Sequence, residues 1–190
     1  MLIYRLDLSQ PPDIKPLPKA SRFHIVADTR GIFVHFLTWV RNWGWGPAIK
    51  AAFKIWSRRR ILFYTIVPGG AIAQSGWANL GFCHYYPIES DAVVLGTLFT
   101  LPSFRRQGFS TGAKSRVMAY LYARGYRRFY SDTTPANVAS QRTSEKLGFK
   151  RVAELNPEAP ASVLDAVPPL AVAASPVPPT GSDYHDRSSI

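Results

Sequence analysis

Two short stretches about thirty residues apart constrain this chain more than anything else in it. One is Arg105-Arg106-Gln107-Gly108-Phe109-Ser110. The other is Asn137-Val138-Ala139-Ser140, running on to Lys146-Leu147-Gly148-Phe149. Leu95 to Leu101 reads as a strand, and Pro102-Ser103 punctuates its end. From Phe109 the apolar residues fall at Ala113, Val117, Tyr120 and Leu121, a helical spacing, so a helix starts near Gly108. The first turn of a helix carries free N–H groups and partial positive charge. Gly108 has no side chain to hold an anion away from that backbone. Arg105 and Arg106 add planar donor forks suited to phosphate oxygens.

The second stretch begins and ends a short helix. Asn137 is a good N-cap after the turn-prone Thr133-Thr134-Pro135. Gly148 stands where a C-cap belongs, with Lys146 in the last turn, and Phe149 opens a strand-like run through Val152. Either stretch alone is ordinary: a basic turn, or a capped connecting helix. Together, with a helix and a strand between them, they describe an anion cradle beside a second capped helix.

Their order and spacing resemble the GCN5-related N-acetyltransferase (GNAT) superfamily of acyl-CoA-dependent enzymes. The first signature of that family is Arg or Gln, two residues, Gly, one residue, then Gly or Ala; here it reads Arg105, Gly108, Ser110. The second runs from Asn through a small residue to Gly-Phe, here Asn137, Ser140, Gly148 and Phe149. The likeness covers residues 92–153. It implies an α/β fold, a mixed and largely antiparallel sheet flanked by helices, with strands splayed at the acyl-CoA site. It implies that Phe99, Thr100 and Leu101 present backbone groups to the pantetheine arm. The amides of Arg106, Gln107, Gly108, Phe109, Ser110 and Thr111, beside Arg105, would hold the pyrophosphate, Asn137 would sit beside the pantetheine and the reacting thioester, and Ser140 would be a further cofactor contact. Acetyl-CoA or another acyl-CoA is the implied co-substrate, with no metal. The chain departs from the family at three positions. Ser110 replaces Gly or Ala, Ser144 stands where many relatives carry a Tyr that protonates the departing thiolate, and Val94 stands where some carry a Glu base. Cofactor binding carries over from the resemblance; the usual acid and base do not.

Charge narrows the partners. Up to Ala153 there are 22 Lys and Arg against 7 Asp and Glu, a net +15, whereas from Glu154 onward one Arg faces five acids. Such a body favours anionic partners. Nucleic acid is disfavoured, because no zinc-finger spacing or RNA-recognition strand motif is present. The single cysteine, Cys83, excludes an internal disulfide and fits a reducing, cytoplasmic setting. It lies in a strand-like run and reads as packing rather than as a nucleophile.

Along the chain, Leu2 to Leu8 alternates like a strand, and a proline-rich link runs from Pro11 to Pro18. Helix-like segments follow near 30–41 and 47–58, broken by Gly44 and Gly46-Pro47. Ile61 to Val67 reads as a strand, Pro68-Gly69-Gly70 as a turn, and Ala71 to Tyr85 as one longer strand. Residues 61–88 carry no Asp, Glu, Lys or Arg, which raises a membrane span, but the breaks suit a β-hairpin better. Residues 1–155 form the expected acyltransferase domain. From Asn156 the chain is rich in Pro and Ala and reads as a disordered tail. The resemblance implies a further strand after the second signature; only 162–167 or 170–173 could supply it, unless it is missing or borrowed.

The expected reaction is direct acyl transfer to an amine, which needs a base within reach of the acceptor. His84, Glu89 and Asp91 lie near the strand leading to the cradle, and Asp132 ends the strand before Asn137. The expected acceptor is a small-molecule or glycan amine, an amino sugar first, suggested by a loose likeness to GNAT members of bacterial glycan assembly; a protein, a polyamine or an antibiotic amine stays open as the alternative. Trp39, Trp43, Trp45 and Trp56 stand among Arg41, Lys50, Lys54 and Arg58-Arg59-Arg60 with no acid. They read chiefly as core and acceptor-cleft packing, and as peripheral membrane contact in the alternative. A homodimer is a further expected partner. The rival reading is a GNAT-like protein that keeps CoA and has lost its chemistry.

Overall fold

The computed structural model describes residues 1–56 and 59–155. Its elements run β1 (Leu2–Asp7), β2 (Arg22–Val26), α1 (Thr29–Trp43), α2 (Trp45–Trp56), β3 (Arg60–Ile66), β4 (Ile72–Leu80), β5 (Ala92–Thr100), α3 (Phe109–Tyr122), β6 (Arg128–Thr133), α4 (Val138–Lys146) and β7 (Lys150–Glu154). The seven strands form one sheet in the order β2-β3-β4-β5-β6-β1-β7. Each described pair is antiparallel except β5 with β6. The α/β fold expected from the two signatures is therefore present.

Strand alternation sorts the core into two layers. Ile61, Phe63, Val93, Leu95 and Phe129 point to one face and pack against Ala113, Val117, Met118 and Leu121 of α3. Leu62 and Tyr64 point to the other face, against Trp39 of α1 and Ala48, Ala51 and Ile55 of α2. On that second face Val94 and Tyr130 pack with Ile3 and with Tyr86 of the β4–β5 connection. So α3 covers one side of the sheet, and α1, α2 and the 81–91 segment cover the other.

One expectation is corrected, one strand is added to those expected, and one expected segment falls outside the described residues. The strand expected over Ala71–Tyr85 stops at Leu80. Gly81 turns the chain there with φ +68, and a Cβ at that position would fall 2.4 Å from the Ser90 carbonyl oxygen. That close approach closes a loop, and it places Cys83 in the loop, half-buried, rather than in a strand. β2 has no counterpart among the sequence expectations; five residues paired along one edge to β3 are too few to show a period. The third concerns the last strand. Segments 162–167 and 170–173 lie outside the described residues, as does the expected tail. Within the described residues, β1 sits between β6 and β7, pairing Ile3 with Asp132 on one side and with Ala153 on the other. The chain's own first strand thus ties β7 into the sheet.

From β1 the proline-rich link crosses α3 to reach β2. The Lys15 amide donates to Ser115 Oγ at 2.9 Å, and Arg116 donates to the Lys15 carbonyl. Gly112 makes room for this crossing: a Cβ there would lie 2.7 Å from the Pro16 carbonyl oxygen.

Candidate active site

β5 and β6 are paired over only three rungs, Ala92–Arg128, Val93–Phe129 and Val94–Tyr130. Beyond them β5 runs on to Thr100 and β6 to Thr133. The parting coincides with a bulge in β5, where its register against β4 slips between Trp77–Gly96 and Ser75–Phe99 and Thr97 takes φ +47. A bulge bends and twists its strand, and here it carries β5 away from β6. The cleft between them, about 230 Å³, is lined by Leu95, Thr97 and Leu98 of β5, Ser131, Asp132 and Thr133 of β6, Asn137 and Ser140 at the start of α4, and Lys114 of α3.

The cradle lies past the end of β5. Thr100 is the last strand residue, the Leu101 amide donates to the Ala73 carbonyl, and Phe99 is exposed. Arg105 Nε donates to the Thr100 carbonyl at 3.2 Å, and Gln107 donates to the Ser103 carbonyl. Arg106 and Gly108 both adopt positive φ, +62 and +87. Successive turns of this kind aim backbone N–H groups into one concavity, an anion nest. Gly108 is the N-cap of α3, it offers no side-chain cap, and the helix has no acid in its first turn. Nothing lies within 4 Å of where a Gly108 Cβ would sit, so space is open above the amides. Phe109 is buried and packs edge-on to Phe104, so it contributes its amide and anchors the helix start. Ser110 and Thr111 follow in the first turn. These residues fit a pyrophosphate: free helix-end amides, a glycine without hindrance, Arg105 and Arg106 at hand, and no competing carboxylate.

Asn137 caps α4 as expected, its side chain accepting from the Ser140 amide at 3.2 Å. Alternation along β6 turns Ser131 toward α3 and Asp132 toward the opposite face, with Tyr130. On that face burial pushes the Asp132 carboxyl up from its ordinary value, while Tyr86 and Lys114 pull it back. The Tyr86 hydroxyl is buried beside it without a well-aligned hydrogen bond. On the α3 face, Lys114 is 2% exposed and donates to Ser131 Oγ at 2.9 Å. Ser144, also buried, donates to the same oxygen at 3.3 Å. Lys114 and Tyr86 have no place among the residues expected from sequence. A lysine on the apolar stripe of α3 was the signal for the first, since Lys114, Val117, Met118 and Leu121 share a helix face.

The four expected bases are not gathered in one place, and Asp91 lies exposed in the turn that precedes β5. Asp132 lines the cleft. Glu89 forms an ion pair with Arg128 at 2.7 Å and accepts from the Tyr130 hydroxyl at 3.0 Å, at the closed end of the β5–β6 pair. His84 is exposed, and its Nε2 lies 2.6 Å from the Arg60 guanidinium. Arginine has no acceptor atom, so that contact occupies the imidazole lone pair. The tryptophans divide. Trp39 is buried and Trp43 half-buried, whereas Trp45 and Trp56 are exposed beside Phe33, Val34, Leu37, Ile49 and Phe53. Arg58 lies outside the described residues. No helix among the described residues is long and apolar enough to cross a membrane.

Known proteins can now be set beside this geometry. A family model described as an acetyltransferase (GNAT) domain matches residues 22–150. This chain belongs to the GNAT acetyltransferase family. An aminoglycoside N(6')-acetyltransferase type 1 of Salmonella typhimurium is 34% identical to this GNAT chain over 91 residues, 46% of the chain and 61% of that protein. The chain therefore matches somewhat under two thirds of that relative's length. A structure of AAC(6')-Iy with the bisubstrate analogue CoA-S-monomethyl-acetylneamine superposes with TM-score 0.56 at 20% identity, covering 72% of this chain and 95% of that one. A GCN5-related N-acetyltransferase from Sphaerobacter thermophilus superposes with TM-score 0.57 at 12% identity, covering 80% of this chain and 48% of that one. At these identities the superpositions speak for the fold.

Proposed function

We propose that this protein transfers an acyl group, acetyl first, from acyl-CoA directly to the primary amine of an amino sugar. The observation that carries the reading is the cleft where β5 leaves β6, opening beside the glycine-capped start of α3. When bound, acyl-CoA supplies the activated thioester; the protein's residues hold, orient and move protons. Arg105, Arg106 and the amides of residues 106–111 hold the pyrophosphate. The unpaired edge of β5 beyond Val94 faces the pantetheine arm. Asp132, on the face it shares with Tyr86 of the β4–β5 connection, takes the proton from the attacking amine, and burial makes its carboxylate a better base than an exposed one. His84 and Glu89 are held by Arg60 and Arg128 and serve structure.

The acceptor class follows from relatives and charge. The curated relatives are named for an amine of an amino-sugar antibiotic. Yet residues 29–88, which supply α1, α2, β3 and β4, contain no acid, and a polycationic antibiotic needs carboxylates to hold it. An amino sugar carrying phosphate, nucleotide- or lipid-linked, suits this surface better. A binding titration and a rate comparison test the cofactor and acceptor parts separately. Calorimetry should show acetyl-CoA binding to the wild type and at least roughly a hundredfold loss in an Arg106→Ala, Gly108→Val double variant that still melts cooperatively. Acetyl transfer should be faster to a nucleotide-linked amino sugar than to neamine; the reverse order would sink the acceptor assignment.

A second reading has its own observation. Seven large apolar side chains of α1 and α2 are exposed, from Ile49 at 49% to Phe33 at 78%. Arg30, Arg41 and Lys50 are exposed on the same helices. Apolar and cationic side chains on surface helices suit an anionic lipid surface. Phosphatidylglycerol vesicles should float the wild type at low salt and not a Phe33→Ser, Phe53→Ser variant. Absence of the wild type from the vesicle fraction would remove membrane contact.

A further inference from the structure

We propose that Lys114 is the acid of the reaction, giving a proton to the CoA sulfur as it leaves; this rests on the acyl-CoA reading above. A buried ammonium is expensive unless it is paired. Lys114 is 2% exposed, yet among the described residues it has no carboxylate at ion-pair distance. Nζ donates to one hydroxyl, Ser131 Oγ at 2.9 Å, and lies 6.0 Å from the centroid of the Phe149 ring. An ammonium has three donors, and Lys114 lines the cleft with the rest of its reach.

The residue at the family's acid position cannot do this work. Ser144 stands where the family resemblance places a Tyr. Its short side chain is buried, and its hydroxyl is spent on Ser131 Oγ. Ser131 Oγ thus accepts from both Ser144 and Lys114, which leaves the lysine as the ionisable donor on the α3 side of the split. Burial lowers Lys114 to about 8, with Asp132 pulling the other way, so the ammonium is charged at neutral pH and gives up its proton readily.

Asp132 and Lys114 flank the split from opposite faces of the sheet, which divides the proton work. The acceptor nitrogen forms its bond to the carbonyl carbon, and the C–S bond breaks with its electron pair going to sulfur. The sulfur takes one proton from Lys114, and the acylated nitrogen gives one to Asp132. Transfer from the Asp132 carboxyl to the Lys114 amine restores both groups. The sum is one proton moved from nitrogen to sulfur.

The test uses the full chain and CoA with its free thiol, read by thiolate absorbance while pH is varied. In the wild type the bound thiol should ionise about one pH unit lower than free CoA, because an adjacent ammonium favours the thiolate. In Lys114→Met and Lys114→Gln that shift should vanish while CoA affinity, set at the distant pyrophosphate, changes less than about threefold. Turnover should fall roughly a hundredfold. A wild-type bound thiol that ionises like free CoA overturns the role of Lys114 and leaves the acyl-CoA reading standing, whether or not the variants fold. No CoA binding to the wild type overturns both.

Discussion

An Asp132→Asn variant is expected to turn over about 10² to 10⁴ times more slowly than the wild type while binding acetyl-CoA equally well. Asn keeps the shape and the place in β6 but cannot accept a proton. The pH profile carries the sharper signature. The reaction needs the carboxylate form, so the rate should fall on the acid side as Asp132 protonates. Burial raises that carboxyl, so the limb should lie above the ordinary carboxylate range. Lys114 is one of the groups holding it down, so Lys114→Met should move the limb to still higher pH. An Asn variant with wild-type turnover, or a rate flat across the acid range, would rule Asp132 out as the base.

Removing residues 1–8 should abolish cooperative folding and CoA binding together. Leu2, Ile3 and Tyr4 are each no more than 4% exposed. Burying side chains of this size contributes about 1.5–3 kcal/mol apiece, against a total stability of about 5–15 kcal/mol for a domain. β1 also occupies one edge of β6 along its whole length, from Thr133 to Arg128. Without it β6 has a free edge under the cleft, and β7 loses the partner to which it is joined. The test is thermal unfolding by circular dichroism of the truncated chain, alone and with a synthetic peptide of residues 1–9. The peptide should restore a melting transition and CoA binding. A truncated chain that melts like the full one would show that β1 is an ornament on an already complete sheet.

Local chemistry made much of the cradle legible in advance. Arg105, Gly108 and Phe109 say where α3 begins, because only a helix start gives a glycine between basic residues and an apolar stripe that job. Asn137 and Gly148 mark the two ends of α4 for the same reason: caps are decided by residues within a few positions of each other. The hairpin of β3 and β4 was legible from Pro68-Gly69-Gly70. The end of β4 was not, because residues 81–85 are strand-like in composition and turn only through a contact between Gly81 and Ser90. Glu89 and His84 were reasonable bases until pairing across the sheet brought Arg128 and Arg60 to them.

The family, the cradle, the two caps of α4 and the basic character of the chain were readable from the residues alone, the cradle and the caps because each is written within a dozen consecutive residues. Which strand lies between β6 and β7, how far β5 and β6 stay together, and which charged side chains reach the gap come from the folded arrangement. Those outcomes depend on residues up to about 150 positions apart, such as Ile3 beside Ala153. They are set by burial and by cross-strand pairing, which favour whichever apolar strand fills the space regardless of its place in the chain.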